Sequence, residues 1–132
     1  MPKEITHCLF AEKAVHALAA SDFPLRRAAG RELLFLFEKQ KEALLFGSVA
    51  PDIFYYDIAV PWEKKGPAHG AIWGDLIHGA HGEDTLRHVR EMLQVLREPG
   101  LQAPLTGGRP LSRDEHSLLL LFVMGYLAHV AL

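Results

Sequence analysis

The sequence is nearly without cysteine. Cys8 is the one thiol in 132 residues, so no internal disulfide can staple the fold, and a reducing, cytoplasmic setting is expected. Charge of one sign is also missing: fourteen Lys and Arg stand against sixteen Asp and Glu, a net charge of -2. That balance gives none of the basic footprint of a nucleic-acid binder, so no nucleic-acid partner is expected. There is no basic start followed by an apolar run and a small-residue cleavage site, so no export signal is read. The longest apolar stretch, residues 117–132, falls short of the roughly 20 residues that span a bilayer, and no transmembrane segment is expected. Internal repeats and low-complexity tracts are absent as well.

What is present is an ordinary globular composition, 49% apolar and 23% charged, in a chain long enough for one domain with a real core. The expected domain is a single helical one over residues 1–132. The fold class is all-α: an irregular helical bundle with a long central loop and a buried C-terminal helix.

Hydrophobic spacing places the elements. Residues 4–20 carry Ile5, Cys8, Leu9, Val15 and Leu18 at helical intervals, and five alanines favour that helix and allow close packing. Ser21 and Asp22 offer N-cap oxygens to a following segment that opens on Pro24. Residues 24–46 read as one helix or two, with Gly30 as a possible break and Gly47 as the stop. From there to about residue 82, prolines 51, 61 and 67 and five glycines make continuous helix improbable. Such a long loop inside a compact domain is where a site is expected.

A further helix begins near residues 83–85, with Leu86, Val89, Leu93 and Leu96 on one face, and ends before Pro99-Gly100. Residues 101–110 read as a turn-rich linker. Ser112 and Glu115 have the spacing of a capping box, and the apolar run after them reads as a central helix buried all round.

Eight histidines are the unusual feature. His129 lies within the apolar final helix, where an unpaired ring nitrogen is costly, so it must be hydrogen-bonded or ligated. His7 shares a helix face with Phe10, Ala11, Ala14 and Leu18 and points inward. Asp52 sits after a proline and before an aromatic cluster, where a carboxylate needs a cation or several N–H donors; Pro-Asp is equally a common turn pair. The segment from Gly74 to Thr85 sets His78 and His81 among glycines that let the backbone bring side chains to one point, or else forms a plain helix N-cap. His69 is a further loop candidate. His16, His88 and His116 have weaker cases, the last two on expected exposed helix faces.

Together, Thr6-His7, Ala50-Pro51-Asp52, the His78 to Thr85 segment and Gly125-Tyr126-Leu127-Ala128-His129 resemble the zinc-dependent phospholipase C family. The resemblance touches almost the whole chain. It implies an all-helical fold holding one or more Zn2+ ions, with His7, Asp52, His78 and His129 as metal ligands, His81 competing with His78 for its place, and Asp52 also acting catalytically by orienting water. Zinc lowers the pKa of bound water toward 7 and polarises a phosphoryl oxygen, so the implied activity is phosphodiester hydrolysis on a phospholipid or smaller phosphate ester.

The pattern differs in one respect: family members usually place an aspartate four residues beyond the buried helix histidine, and this sequence ends before that position. The chain is therefore read as a fragment, a truncation or a shortened relative, the N-terminal part of a longer family domain. With the apolar run from Leu118 onward poorly covered, a homo-oligomer is a further expectation. The competing reading is a non-catalytic helical domain that keeps a structural or vestigial metal site and serves in assembly. An HD-type phosphohydrolase is set aside, since it needs an adjacent His-Asp pair and none occurs.

Overall fold

A computed structural model describes residues 3–55, 69–80, 82 and 84–131. Among them the fold is all-α, with six helices: α1 (Lys3–Ala19), α2 (Pro24–Val49), α3 (His69–His78), α4 (Arg87–Arg97), α5 (Pro99–Thr106) and α6 (Arg113–Val130), plus a 3-10 segment, Ala50–Tyr55, directly after α2. No helix among the described residues is long and apolar enough to cross a membrane.

The final helix is the axle of the fold. It packs chiefly along α2, which in turn carries α1, and reaches α1 and α4 on its other sides. Leu121 and Ala128 join Ala11 and Val15 of α1 and Leu33, Phe37 and Leu44 of α2 in one core cluster. Val123 and Tyr126 face the other way, toward Ile77 of α3 and Val89 and Leu96 of α4. Apolar faces on two sides of one helix account for its near-continuous apolar sequence. Leu121 is fully enclosed, whereas Leu118 and Leu119, nearer the start of the helix, remain exposed.

Several local expectations change. Gly30 does not break α2. It is a crossing point, because a Cβ there would lie 2.3 Å from the backbone of Leu18 and Ala19. The irregularity in α2 falls instead at Gln40, whose backbone leaves the helical region (φ -141, ψ 43). Gly47 is not a stop either, since α2 runs on to Val49. The helix is capped by no side chain: Phe23 holds the N-cap position, and Ser21 Oγ accepts from the Phe23 N–H instead.

The segment expected to be loop from residue 47 to about 82 contains the end of α2, the 3-10 segment and α3. Helix α4 starts at Arg87, later than expected, with Asp84 accepting from the Leu86 N–H at 3.0 Å. Most of the stretch read as linker, residues 101–110, is helical: α5 runs through Thr106, and Gly107 terminates it in the left-handed region that favours glycine. The capping box is present: the Ser112 hydroxyl accepts from Glu115 N–H, and the Glu115 carboxylate accepts from Ser112 N–H.

Candidate metal centre

Four side chains from four elements meet at one point. His7 comes from the early part of α1, Asp52 from the 3-10 segment, His78 from the last residue of α3 and His129 from the last turn of α6. Asp52 lies between the rings. Its Oδ1 is 3.2 Å from His78 Nε2 and 3.5 Å from His129 Nε2, and its Oδ2 is 3.5 Å from His7 Nε2. The Nε2 atoms of His78 and His129 approach to 2.7 Å, and the His7 ring stacks on His129 with centroids 4.0 Å apart. The His129 side chain is 2% exposed and that of His78 27%, so the cluster is sealed on one side and reachable from the other.

The backbone explains how these groups are aimed. The carbonyls in the last turn of a helix have no partner within it, and one of them, Ser48 C=O near the end of α2, accepts from His129 Nδ1 at 2.7 Å. Within α3, Gly74 C=O accepts from His78 Nδ1 at 2.8 Å. Carbonyl oxygens only accept, so both Nδ1 atoms carry the ring proton and both Nε2 atoms present lone pairs. Fixing one ring nitrogen so that the other faces the ion is the usual arrangement of metal-bound histidine.

Two lone pairs 2.7 Å apart, beside a carboxylate, repel one another unless a cation lies among them. On His129 a second proton is disfavoured. Burial pushes the His129 imidazole below its ordinary pKa, and the neighbouring His7 and His78 push in the same direction, against the opposing pull of Ser48 C=O and Asp52. The neutral, lone-pair form is the one a metal takes. His7 adds a second sign of incompleteness, since its Nδ1 is buried with no hydrogen-bond partner.

The spacing around the carboxylate suits zinc. A tetrahedral site with ligands at about 2.0–2.1 Å has edges of roughly 3.3–3.4 Å, and the carboxylate-to-imidazole separations of 3.2, 3.5 and 3.5 Å bracket that value. The 2.7 Å between the Nε2 atoms of His78 and His129 is shorter than such an edge and must open for both to bind one ion. His7, Asp52 and His129 offer ligand atoms all within 4.8 Å of one another, a group that could hold a metal ion. The donor set of imidazole nitrogens and one carboxylate is also one that zinc accepts.

The sequence profile of the zinc-dependent phospholipase C family matches residues 6–132. The chain belongs to that family. No curated protein and no solved structure matches the chain. A zinc-dependent phospholipase C family member is expected to carry ligands for the ion, and the His/Asp cluster has the chemistry for it.

Of the positions singled out in the sequence, His7, Asp52, His78 and His129 converge. His81 lies outside the described residues, as does the side chain of His69. His16 and His116 are exposed, and His88 lies half-buried beside Glu91, 3.8 Å from its carboxylate. The groups that sequence reasoning missed are the two carbonyls, of Ser48 and Gly74. A main-chain acceptor is the same for every residue type, so the sequence carries no signal for it.

Proposed function

We propose that this protein is a zinc-dependent phosphodiester hydrolase, with His7, Asp52, His78 and His129 as ligands of the ion and a phospholipid or smaller phosphate ester as substrate. The observation that carries this reading is the meeting of electron-pair donors around Asp52, an arrangement that is unfavourable without a cation. The chemistry zinc supplies when bound at such a centre is a water acidic enough to lose its proton near neutral pH and a polarised phosphoryl oxygen.

The chain's own residues do the rest. Ser48 C=O and Gly74 C=O hold the His129 and His78 rings so that their Nε2 atoms face inward. Asp52 has two oxygens, one toward His78 and His129 and one toward His7; an oxygen left free orients the attacking water and takes up its proton. The solvent-facing side at His78 is the approach for the ester, while the closed side at His129 keeps bulk water from the ligands and strengthens their electrostatic hold.

The test is hydrolysis of a chromogenic phosphodiester and of phosphatidylcholine vesicles by protein of measured zinc content. Activity should vanish on chelation, return with zinc, and fall about 10²–10⁴-fold in Asp52→Asn, the range typical of a lost acid-base group. Stoichiometric zinc without turnover of either ester would favour the non-catalytic reading, and full activity in Asp52→Asn would remove Asp52 from the chemistry.

A further inference from the structure

Helices α2 and α6 touch backbone to backbone beside the cluster. A Cβ on Gly125 would lie 2.0 Å from Leu44 O and 2.7 Å from Ser48 N, and a Cβ on Gly47 would lie 2.1 Å from Phe122 O. Ordinary carbon contacts are about 3.5–4.0 Å, so a methyl at either position would part the helices by on the order of 1 Å or more. The residue framed by this contact is Ser48, whose side chain is fully buried and whose hydroxyl is turned back onto Leu45 C=O at 2.7 Å. Its own carbonyl is left to His129. Pro51 has no N–H, so it cannot claim that carbonyl by continuing the helix as a 3-10 turn.

We propose that Gly47 and Gly125 are positioning residues for the metal ligand His129: they allow the approach at which Ser48 C=O grips Nδ1 and turns Nε2 to the ion. This rests on His129 being a ligand. The hydrogen bond is 2.7 Å long, and a parting of about 1 Å carries it beyond the roughly 3.5 Å at which such a bond ceases to exist. The ring would then be free to rotate or to take the other tautomer, and the ion would lose a pre-aimed nitrogen. Loss of the partner that orients a ligand histidine typically costs 10–100-fold in metal affinity.

A helix contact of this kind also stabilises the fold, and Gly30 separates the two roles. It makes an equally close backbone crossing, 2.3 Å from a hypothetical Cβ to Ala19 N, but between α1 and α2 at the end away from His7. Gly125→Ala, Gly47→Ala and Gly30→Ala should all lower the unfolding midpoint of the metal-free protein. Only the first two should weaken Zn2+ affinity, about 10–100-fold, measured by competition with a chromophoric chelator, and alter the visible spectrum of the Co2+-loaded protein.

Equal loss of affinity in Gly30→Ala, or none in a folded Gly125→Ala or Gly47→Ala protein, overturns the proposal. Should neither of those two variants fold, ring-nitrogen NMR on the wild-type protein decides it: a protonated Nδ1 and bare Nε2 on His129 are expected, and the opposite tautomer overturns it. A His129→Ala control keeps the two readings apart. Zinc lost in His129→Ala but undiminished in Gly125→Ala refutes the glycine role alone, whereas zinc bound equally well without His129 refutes the ligand assignment with it.

Discussion

At the scale of single residues, the cluster is a set of compromises that suit an ion better than they suit the metal-free protein. His78 illustrates this, because its Nε2 faces both His129 Nε2 and Asp52 Oδ1 at short range. Removing it takes away an electron-pair repulsion in one state and a ligand in the other. In the presence of a chelator, His78→Ala should leave the unfolding free energy within about 0.5 kcal/mol of wild type, as for a partly exposed side chain. With zinc at 100 times the wild-type Kd, the same change should forfeit most of the approximately 2.7 kcal/mol that ligand linkage supplies. Thermal unfolding with and without zinc measures both, and a large loss in chelator would show His78 to be structural.

The candidate residues were legible because they break local rules: His129 is a polar ring in an apolar helix, and Asp52 is an acid leading into aromatic residues. Ser48 stayed hidden, since what it contributes is a carbonyl, and Gly47 and Gly125 read as punctuation or as nothing when their work is close approach.

At the scale of elements, the cap of α6 was fully legible, because a capping box depends on two side chains at a fixed spacing. Glu115 also receives Arg109, with Arg109 Nη1 donating to one carboxylate oxygen at 2.7 Å and Nη2 to the other at 2.5 Å. The Arg109 hydrogen bonds, with help from the Ser112 N–H and hydroxyl, hold the Glu115 carboxyl down at about 2 against an ordinary 4.5. A depressed folded value means that the unfolded chain binds the proton first as pH falls. The stabilisation is therefore complete above pH 4.5 and is lost as pH drops toward 2. Ser112→Ala should cost about 1 kcal/mol at neutral pH, and an NMR titration of Glu115 should show its midpoint rising in Arg109→Ala. A Glu115 midpoint that is ordinary in the wild-type protein would contradict the account of the cap.

Helices α3 and α5 were not legible, and for one reason. Glycine and proline mark breaks on average, yet Pro99 occupies the first turn of α5, where a missing N–H costs nothing. In α3, the helix carries Gly70 and Gly74, and Gly74 is buried on the same helix as Ile77, so burial outweighs a propensity cost of about 1 kcal/mol per glycine.

At the scale of the molecule, the fold is a device for bringing remote positions together. His7 and His129 are separated by nearly the whole described chain, and the α1–α2–α6 packing closes that distance, while α3, packed against the 3-10 segment, carries His78 to the same point. An all-α architecture was readable from periodicity, and the described residues show it. The point of convergence was not, because it depends on a backbone contact between α2 and α6 that a residue pattern does not encode.

The central claim is that these four side chains hold zinc together, and anomalous diffraction at the zinc absorption edge from crystals of zinc-loaded protein tests it most directly. The account predicts one anomalous peak with Nε2 of His78 and His129, a carboxylate oxygen of Asp52 and a His7 ring nitrogen within about 2.0–2.2 Å. A zinc ion bound elsewhere, with His78 and His129 left facing each other and no ion between them, would contradict it.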